Sequence, residues 1–403
     1  MKRGLLLLLL CCLLFAACTQ KSGGVEEPEK LPDLPEPIPQ TEPVPDETDY
    51  AVELSSAFDG VEETPQAEFE YTVSEGAATL TAYTGGGTAV RVPETLGGFP
   101  VAGIATGAFA NRLELKVLIL PETVTVFGAG ILQNTALTAL CTPFPKEGGY
   151  LGFLWGLSES SGNRAPVMKS LRYLRLLSSA GQAFSVPANG LSGCGGLVAL
   201  ELPANGKLGD SALADCERLA YVNAGSLTEI GEKAFDGCVA LQSLRFGENL
   251  IQIGFAALRN CRSLMELELP FIGESAQAQT GASSERTTFL GYLFGATKPA
   301  FSKGFYPAFL RKITLLEGCG ELPDFALYEC VSLTELSLPD SLKRVGGRAL
   351  AGCTSLCRLS LPKGCMEIGD GACAGCANLI AVDLPEGIRI GQNAFLGCPL
   401  KKS

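Results

Sequence analysis

The apolar residues of this chain fall into a pattern that returns every 22 or 23 positions through most of its length. One unit closes on an alternating run, as in Leu197, Leu200 and Leu202, or Leu333, Leu336 and Leu338, each followed by proline. Alternation with period two predicts a short strand that turns its leucines inward, and the proline, having no N–H to donate, ends it. Ile-Gly then turns the chain and Ala-Phe sends apolar bulk back to the core. Ile230, Gly231, Ala234 and Phe235 show this, with Cys238 three residues on, and Ile390, Gly391, Ala394, Phe395 and Cys398 repeat it. A degenerate first copy runs through Ile104, Ala108, Phe109, Leu115, Leu118 and Leu120. One unit cannot bury its apolar face alone. Stacked units can, as a solenoid with a continuous core and a parallel sheet along one side. About 11 such strands spaced ~4.8 Å apart predict a sheet on the order of 50 Å long.

The N-terminus breaks this rhythm. Lys2 and Arg3 precede an apolar run from Leu5 to Ala17, the layout of a signal peptide over residues 1–17. A permanent span would need about 20 apolar residues. Small residues ahead of Cys18 resemble the lipobox of bacterial lipoproteins, which implies cleavage before Cys18, lipid attachment there and a membrane anchor. Residues 18–66 read as an acidic, proline-rich tether, since such composition favours extended chain over a packed core.

Charge sharpens the division. The net charge is −12, and residues 26–75 hold 16 acidic residues against one lysine. Residues 76–403 sum to zero, so the repeats present no overall field to attract nucleic acid. The chain has no histidine. Ser-His-Asp and Cys-His catalysis and His-ligated zinc are thereby excluded. No P-loop, dinucleotide or calcium-loop spacing occurs, and no metal or cofactor is expected.

The recurrence of Ile-Gly-x-x-Ala-Phe-x-x-Cys with Leu-x-x-Leu-x-Leu-Pro closely resembles the BspA-like leucine-rich-repeat family of bacterial surface proteins. The resemblance covers roughly residues 67 to 403. It implies a leucine-rich-repeat solenoid, mostly parallel β with short helical or irregular returns, at residues 101–403. It also implies a β-rich cap over residues 67–100, carried by Tyr71, Ala78, Tyr83 and Val90. Family members are associated with adhesion and with host or matrix proteins. An envelope location outside the cytoplasm, at an outer membrane or cell surface, follows from the anchor and the resemblance together.

Cysteines at 194, 216, 238, 261, 330, 353, 376 and 398 hold one equivalent position per turn. Their side chains would point in parallel, so a ladder of buried free thiols is expected. Cys373 and Cys376 have redox-motif spacing, but Cys376 is the ladder residue and Cys373 replaces the usual Phe. Cys319, Cys357 and Cys365 lie off the ladder and are the candidates for any disulfide.

Two insertions, at about 142–169 and 271–309, interrupt the rhythm. They carry related segments 139 residues apart, Tyr150, Phe153 and Trp155 in one and Phe289, Tyr292 and Phe294 in the other. Exposed, these aromatics would be binding hot spots; folded back, they would plug the solenoid flank. Residues 275–286, small and polar, read as a mobile tip. The second candidate is the outward sheet face: Tyr173, Arg175, Glu201, Tyr221, Asn223, Arg245, Glu266, Glu268, Lys312, Glu335 and Arg358. Repeat arrays commonly bind proteins on such a surface. Glu266 and Glu268, about 7 Å apart by strand rise, are loosely compatible with a glycosidase pair. Two solvated glutamates are the ordinary alternative. The expected function is non-enzymatic binding of a protein or glycan, adhesion foremost. A structural envelope protein is the alternative, and a carboxylate-based glycan hydrolase a third.

Overall fold

A computed structural model describes residues 47–158, 163, 166–178, 183–276 and 287–401. The expected signal peptide, Cys18, the acidic run up to residue 46 and most of the polar tip lie outside the described residues.

The repeats form a parallel β-solenoid. Twelve short strands stack along one side, from Ala89–Arg91 and Val117–Ile119 through Tyr173–Leu177 and Glu266–Leu269 to Ala381–Asp383. Pairing keeps equivalent residues in register: Tyr173 faces Ala199, Leu174 faces Leu200 and Arg175 faces Glu201. The middle residue of each triplet points inward, and Leu118, Leu140, Leu174, Leu200 and Leu244 are fully buried in one continuous core.

The sheet is not confined to one side. Two-residue strands such as Lys207–Leu208, Glu229–Ile230 and Gln252–Ile253 pair in parallel along a second side. A further set runs from Glu321–Leu322 to Arg389–Ile390. Two residues cannot display a period, so Ile-Gly reads in the sequence as a turn only. The glycine is set by crowding between turns. A Cβ on Gly231 would lie 2.5 Å from the Asp210 backbone nitrogen, closer than any carbon can approach.

The thirteen described cysteines are free thiols. In the ladder six thiols donate to a carbonyl of the preceding turn, among them Cys216 to Leu191 at 3.3 Å, Cys261 to Phe235 at 3.2 Å and Cys376 to Leu350 at 3.1 Å. A cysteine thus fills space and satisfies a buried acceptor together. The disulfide candidates do not pair. Cys319 and Cys365 are buried two turns apart, with Leu342 at the equivalent position between them, beyond bridging distance. Cys357 is exposed. On brief treatment of the native protein with a maleimide, Cys357 is expected to label well ahead of Cys216, Cys238 and Cys353, as peptide mass mapping would check. Equal labelling of the ladder would contradict its burial.

Both insertions are expanded turns of the stack. Leu151–Trp155 and Leu290–Phe294 are 3-10 helices, each closed by a glycine in the left-handed region, Gly156 and Gly295. Their backbone groups take the same partners as an Ala-Phe corner. Leu132 N–H donates to Leu154 O at 2.7 Å, and Leu258 N–H to Leu293 O at 2.8 Å. Asn163 pins the first one from inside: its Oδ1 accepts from Gly152 N–H at 2.6 Å while its Nδ2 donates to Gly190 O and Ser192 O.

The N-terminal end differs from the tether expectation. Glu47–Ser56 is an α-helix, α1, and the chain beyond it is packed rather than extended free. Leu54 and Phe58 are each only 2% exposed. Burying two such side chains contributes roughly 3–6 kcal/mol, enough to hold a short segment despite its acidic composition. Arg91 Nε then holds Val61 O at 2.7 Å, and Thr64 N–H donates to Arg91 O at 3.0 Å. Beyond Thr64 the chain enters an antiparallel hairpin, Phe69–Ser74 with Ala77–Tyr83, and the second strand pairs in parallel with Phe99–Ile104.

Candidate interaction surface

Every strand triplet on the first side turns its two flanking residues outward. On the first six strands these positions are largely apolar: Val117, Ala139, Tyr173, Ala199 and Tyr221 form one row, and Ile119, Cys141 and Arg175 stand in the next. Helix α1 and the turn that follows it, through Phe58, cover them. Leu54 and Phe58 form a small core with Ile119, Ala139, Cys141 and Ala199, flanked by Val117, Tyr173, Leu177 and Tyr221. This core lies outside the solenoid, on its sheet face.

Polar groups fix the helix in place. Tyr173 Oη donates to Glu53 Oε2 at 2.8 Å. Burial first, and then this hydrogen bond to a carboxylate, push the Tyr173 hydroxyl above its ordinary pKa. The Arg175 guanidinium stands 4.9 Å from the centre of the Phe58 ring and reaches Glu201 Oε2 at 2.5 Å. Asn223 braces the backbone, accepting from Leu202 N–H at 2.7 Å and donating to Leu202 O at 2.9 Å. Five of the outward residues marked in the sequence, Tyr173, Arg175, Glu201, Tyr221 and Asn223, are thus half-buried under or beside α1. Their side chains serve the chain's own contacts.

From Ser243 onward the face changes character. Ser243, Glu266, Lys312 and Glu335 line up in one row, and Arg245, Glu268, Thr314 and Ser337 in the other. Arg358 and Ser360 stand opposite Ala381 and Asp383. Arg245 lies 3.9 Å from Glu266 and Lys312 3.6 Å from Glu335, loose pairs that add little to stability. Arg245, Glu335 and Arg358 are exposed, and Glu266, Glu268 and Lys312 half-exposed. Glu266 and Glu268 sit on this open strand face.

The insertion aromatics fold back against the solenoid. Trp155, Phe289 and Phe294 are buried, and Tyr150, Phe153 and Tyr292 half-buried. The reason is positional: Leu154-Trp155 and Leu293-Phe294 replace the Ala-Phe corner, so Trp155 and Phe294 take the place that Phe235 holds in a regular turn. Phe294 packs edge-on against Tyr306, and Tyr292 against Phe255. Among the described residues no group of three or more Cys, Asp or Glu side chains is placed to hold a metal ion. None of the described helices is long and apolar enough to cross a membrane.

The sequence reading missed Glu53, Leu54 and Phe58. A signal was present in the outward positions. Val117, Ile119, Ala139, Cys141 and Ala199 would leave an apolar patch on the sheet, and such a patch calls for a cover.

Register-locked parallel strands, inward leucines and a turn of 22 or 23 residues define a leucine-rich-repeat solenoid. The sequence profile of the BspA type leucine rich repeat region matches residues 185–284 and 301–402, in six copies, just over half of the chain. The protein belongs to the BspA-type leucine-rich-repeat family. It is similar to a solved leucine-rich repeat protein from Bacteroides ovatus ATCC 8483, at 20% identity over 85% of this chain and 94% of that one, with a TM-score of 0.40. A leucine rich cell surface protein from Faecalibacterium prausnitzii A2-165 matches at 18% identity over 85% and 94%, TM-score 0.32. The pneumococcal vaccine antigen PcpA matches at 17% identity over 85% and 89%, TM-score 0.33. No curated protein sequence matches the chain.

Proposed function

We propose that this protein is a lipid-anchored bacterial surface protein that binds a protein or glycan without catalysis, with adhesion as its role. The observation that carries the reading is the half of the sheet face, from Ser243 to Asp383, that the described residues leave open, where two registered rows hold arginine, lysine and carboxylates. Flat, mixed-charge arrays of this kind suit recognition of an extended partner and fix its register by charge pairing. The layout of residues 1–17 and Cys18 supports the anchor. The Faecalibacterium relative is a cell surface protein, and the same location is proposed here.

The test is binding of the full chain to a panel of matrix proteins, glycans and bacterial envelope fractions. Lys312→Glu with Arg358→Glu is expected to weaken the dominant interaction at least tenfold while leaving the circular dichroism spectrum unchanged. Binding that survives both reversals would move the site off this face. Capture from envelope fractions alone would favour a structural role among envelope components.

A further inference from the structure

The covered half of the face has the construction of a binding site with an occupant in place. Its floor is built without α1: strands from Val117–Ile119 to Tyr221–Val222 take their backbone hydrogen bonds from one another. The occupant, in contrast, is held to that floor through its side chains. Helix α1 has ten residues, fewer than an isolated helix needs to be stable in water. Leu54 and Phe58 are buried, while Val52 is 63% exposed. What the floor recognises can be read from those contacts. There is an apolar seat for an aliphatic residue and an aromatic four positions later, a hydroxyl on Tyr173 for a carboxylate, and a guanidinium on Arg175 beside the aromatic ring.

We propose that the sheet face between Val117 and Tyr221 is a helix-binding site, and that its ligand is a partner's short acidic helix with an aliphatic and an aromatic residue four positions apart. Helix α1 with its following turn, through Phe58, is the resident occupant and the partner displaces it. The inference rests on the reading of the sheet face as the binding surface, and it adds a second site to that face with its own ligand chemistry. Because a resident helix competes in the same chain, partner affinity is lowered by the fraction of time α1 stays seated.

The molecule carries its own reporter. Cys141 lies under α1, 5% exposed, and burial pushes its thiol up to about 11, so it is unreactive while the helix is seated. The experiment follows N-ethylmaleimide labelling of Cys141 in the full chain by peptide mass mapping, with Cys216 as the internal control. Phe58→Ala is expected to raise the Cys141 rate at least tenfold and leave Cys216 unchanged. A synthetic peptide of residues 47–60 should then bind the Phe58→Ala protein saturably and restore protection, and the same peptide with its phenylalanine replaced by alanine should not. Unchanged Cys141 labelling in the variant, or no protection by the peptide, overturns the proposal. If Phe58→Ala labels Cys216 as well, the fold has been lost, and hydrogen exchange in the unmodified protein decides. Amides of residues 54–58 are expected to exchange at least a hundredfold faster than those of Leu118 and Leu140, and equal protection overturns the proposal. Lys312→Glu with Arg358→Glu should leave all these rates unchanged, so failure of the adhesion reading and failure of this one are read separately.

Discussion

Raising the pH from 7 to 10 is expected to unfold the solenoid. Cys194, Cys216, Cys238, Cys261, Cys330 and Cys353 are fully buried, and desolvation raises the pKa of each, to about 12 for Cys216 and Cys330. An unfolded thiol ionises near pH ~8.5. A group whose pKa is raised by folding gives stability that is complete below the unfolded value and lost as pH climbs toward the folded one. Each ladder thiol therefore costs about 1.4 kcal/mol per pH unit in that window, and six together on the order of 8 kcal/mol per unit. Domains have only about 5–15 kcal/mol to lose, so the urea midpoint should collapse between pH ~9 and ~10. Urea unfolding under reducing conditions at pH 7, 8.5, 9.5 and 10 measures this. Replacing Cys216, Cys238 and Cys353 by alanine should lower stability at pH 7 but flatten the alkaline fall by roughly a quarter to a third, because three of the titrating thiols are gone while others, Cys141 and Cys319 included, remain. A wild-type midpoint that holds to pH 10 would show that the thiols ionise as freely in the fold as outside it.

The second large effect depends on where in the stack a mutation falls. Phe235 is completely buried, while Phe395, in the same motif place, is only partly buried. Phe235→Ala is expected to cost about 3–5 kcal/mol, the transfer loss plus the cavity left between two flanking turns. Phe395→Ala should cost less than half of that, since each turn of a solenoid is stabilised only by its neighbours and no described turn lies beyond this one. Denaturation of the two variants against the parent measures the difference. Equal costs would contradict nearest-neighbour stabilisation of the array.

The repeat was legible because it is written many times. Leu197, Leu200 and Leu202, or Ala234, Phe235 and Cys238, are weak signals singly, but a 22- or 23-residue period removes the ambiguity. The cysteines were legible as a ladder for the same reason. The second sheet was not, because strands of two residues leave no pattern. Helix α1 was hidden by composition. Leu54 and Phe58 stand among acids, and few of the helix's own positions are apolar, so the segment reads as a continuation of the tether. Its place was encoded elsewhere, in the apolar outward positions of strands more than 50 residues away. The insertion aromatics were found as a pair, but their direction depended on which turn they completed, and only the stacking partners of Leu154 and Leu293 reveal that.

Those two expanded turns carry a consequence for how such a molecule changes its reach. Leu151 and Leu290 begin matching helices one 139-residue block apart, and each makes the same kind of joint with the turn on either side. A block bounded by identical joints can be copied or lost whole, because the new seam repeats a contact that already exists. Length then becomes a quantity that varies by duplication without redesign of the interior. A surface protein built this way can be resized between lineages while every core residue keeps its old neighbours.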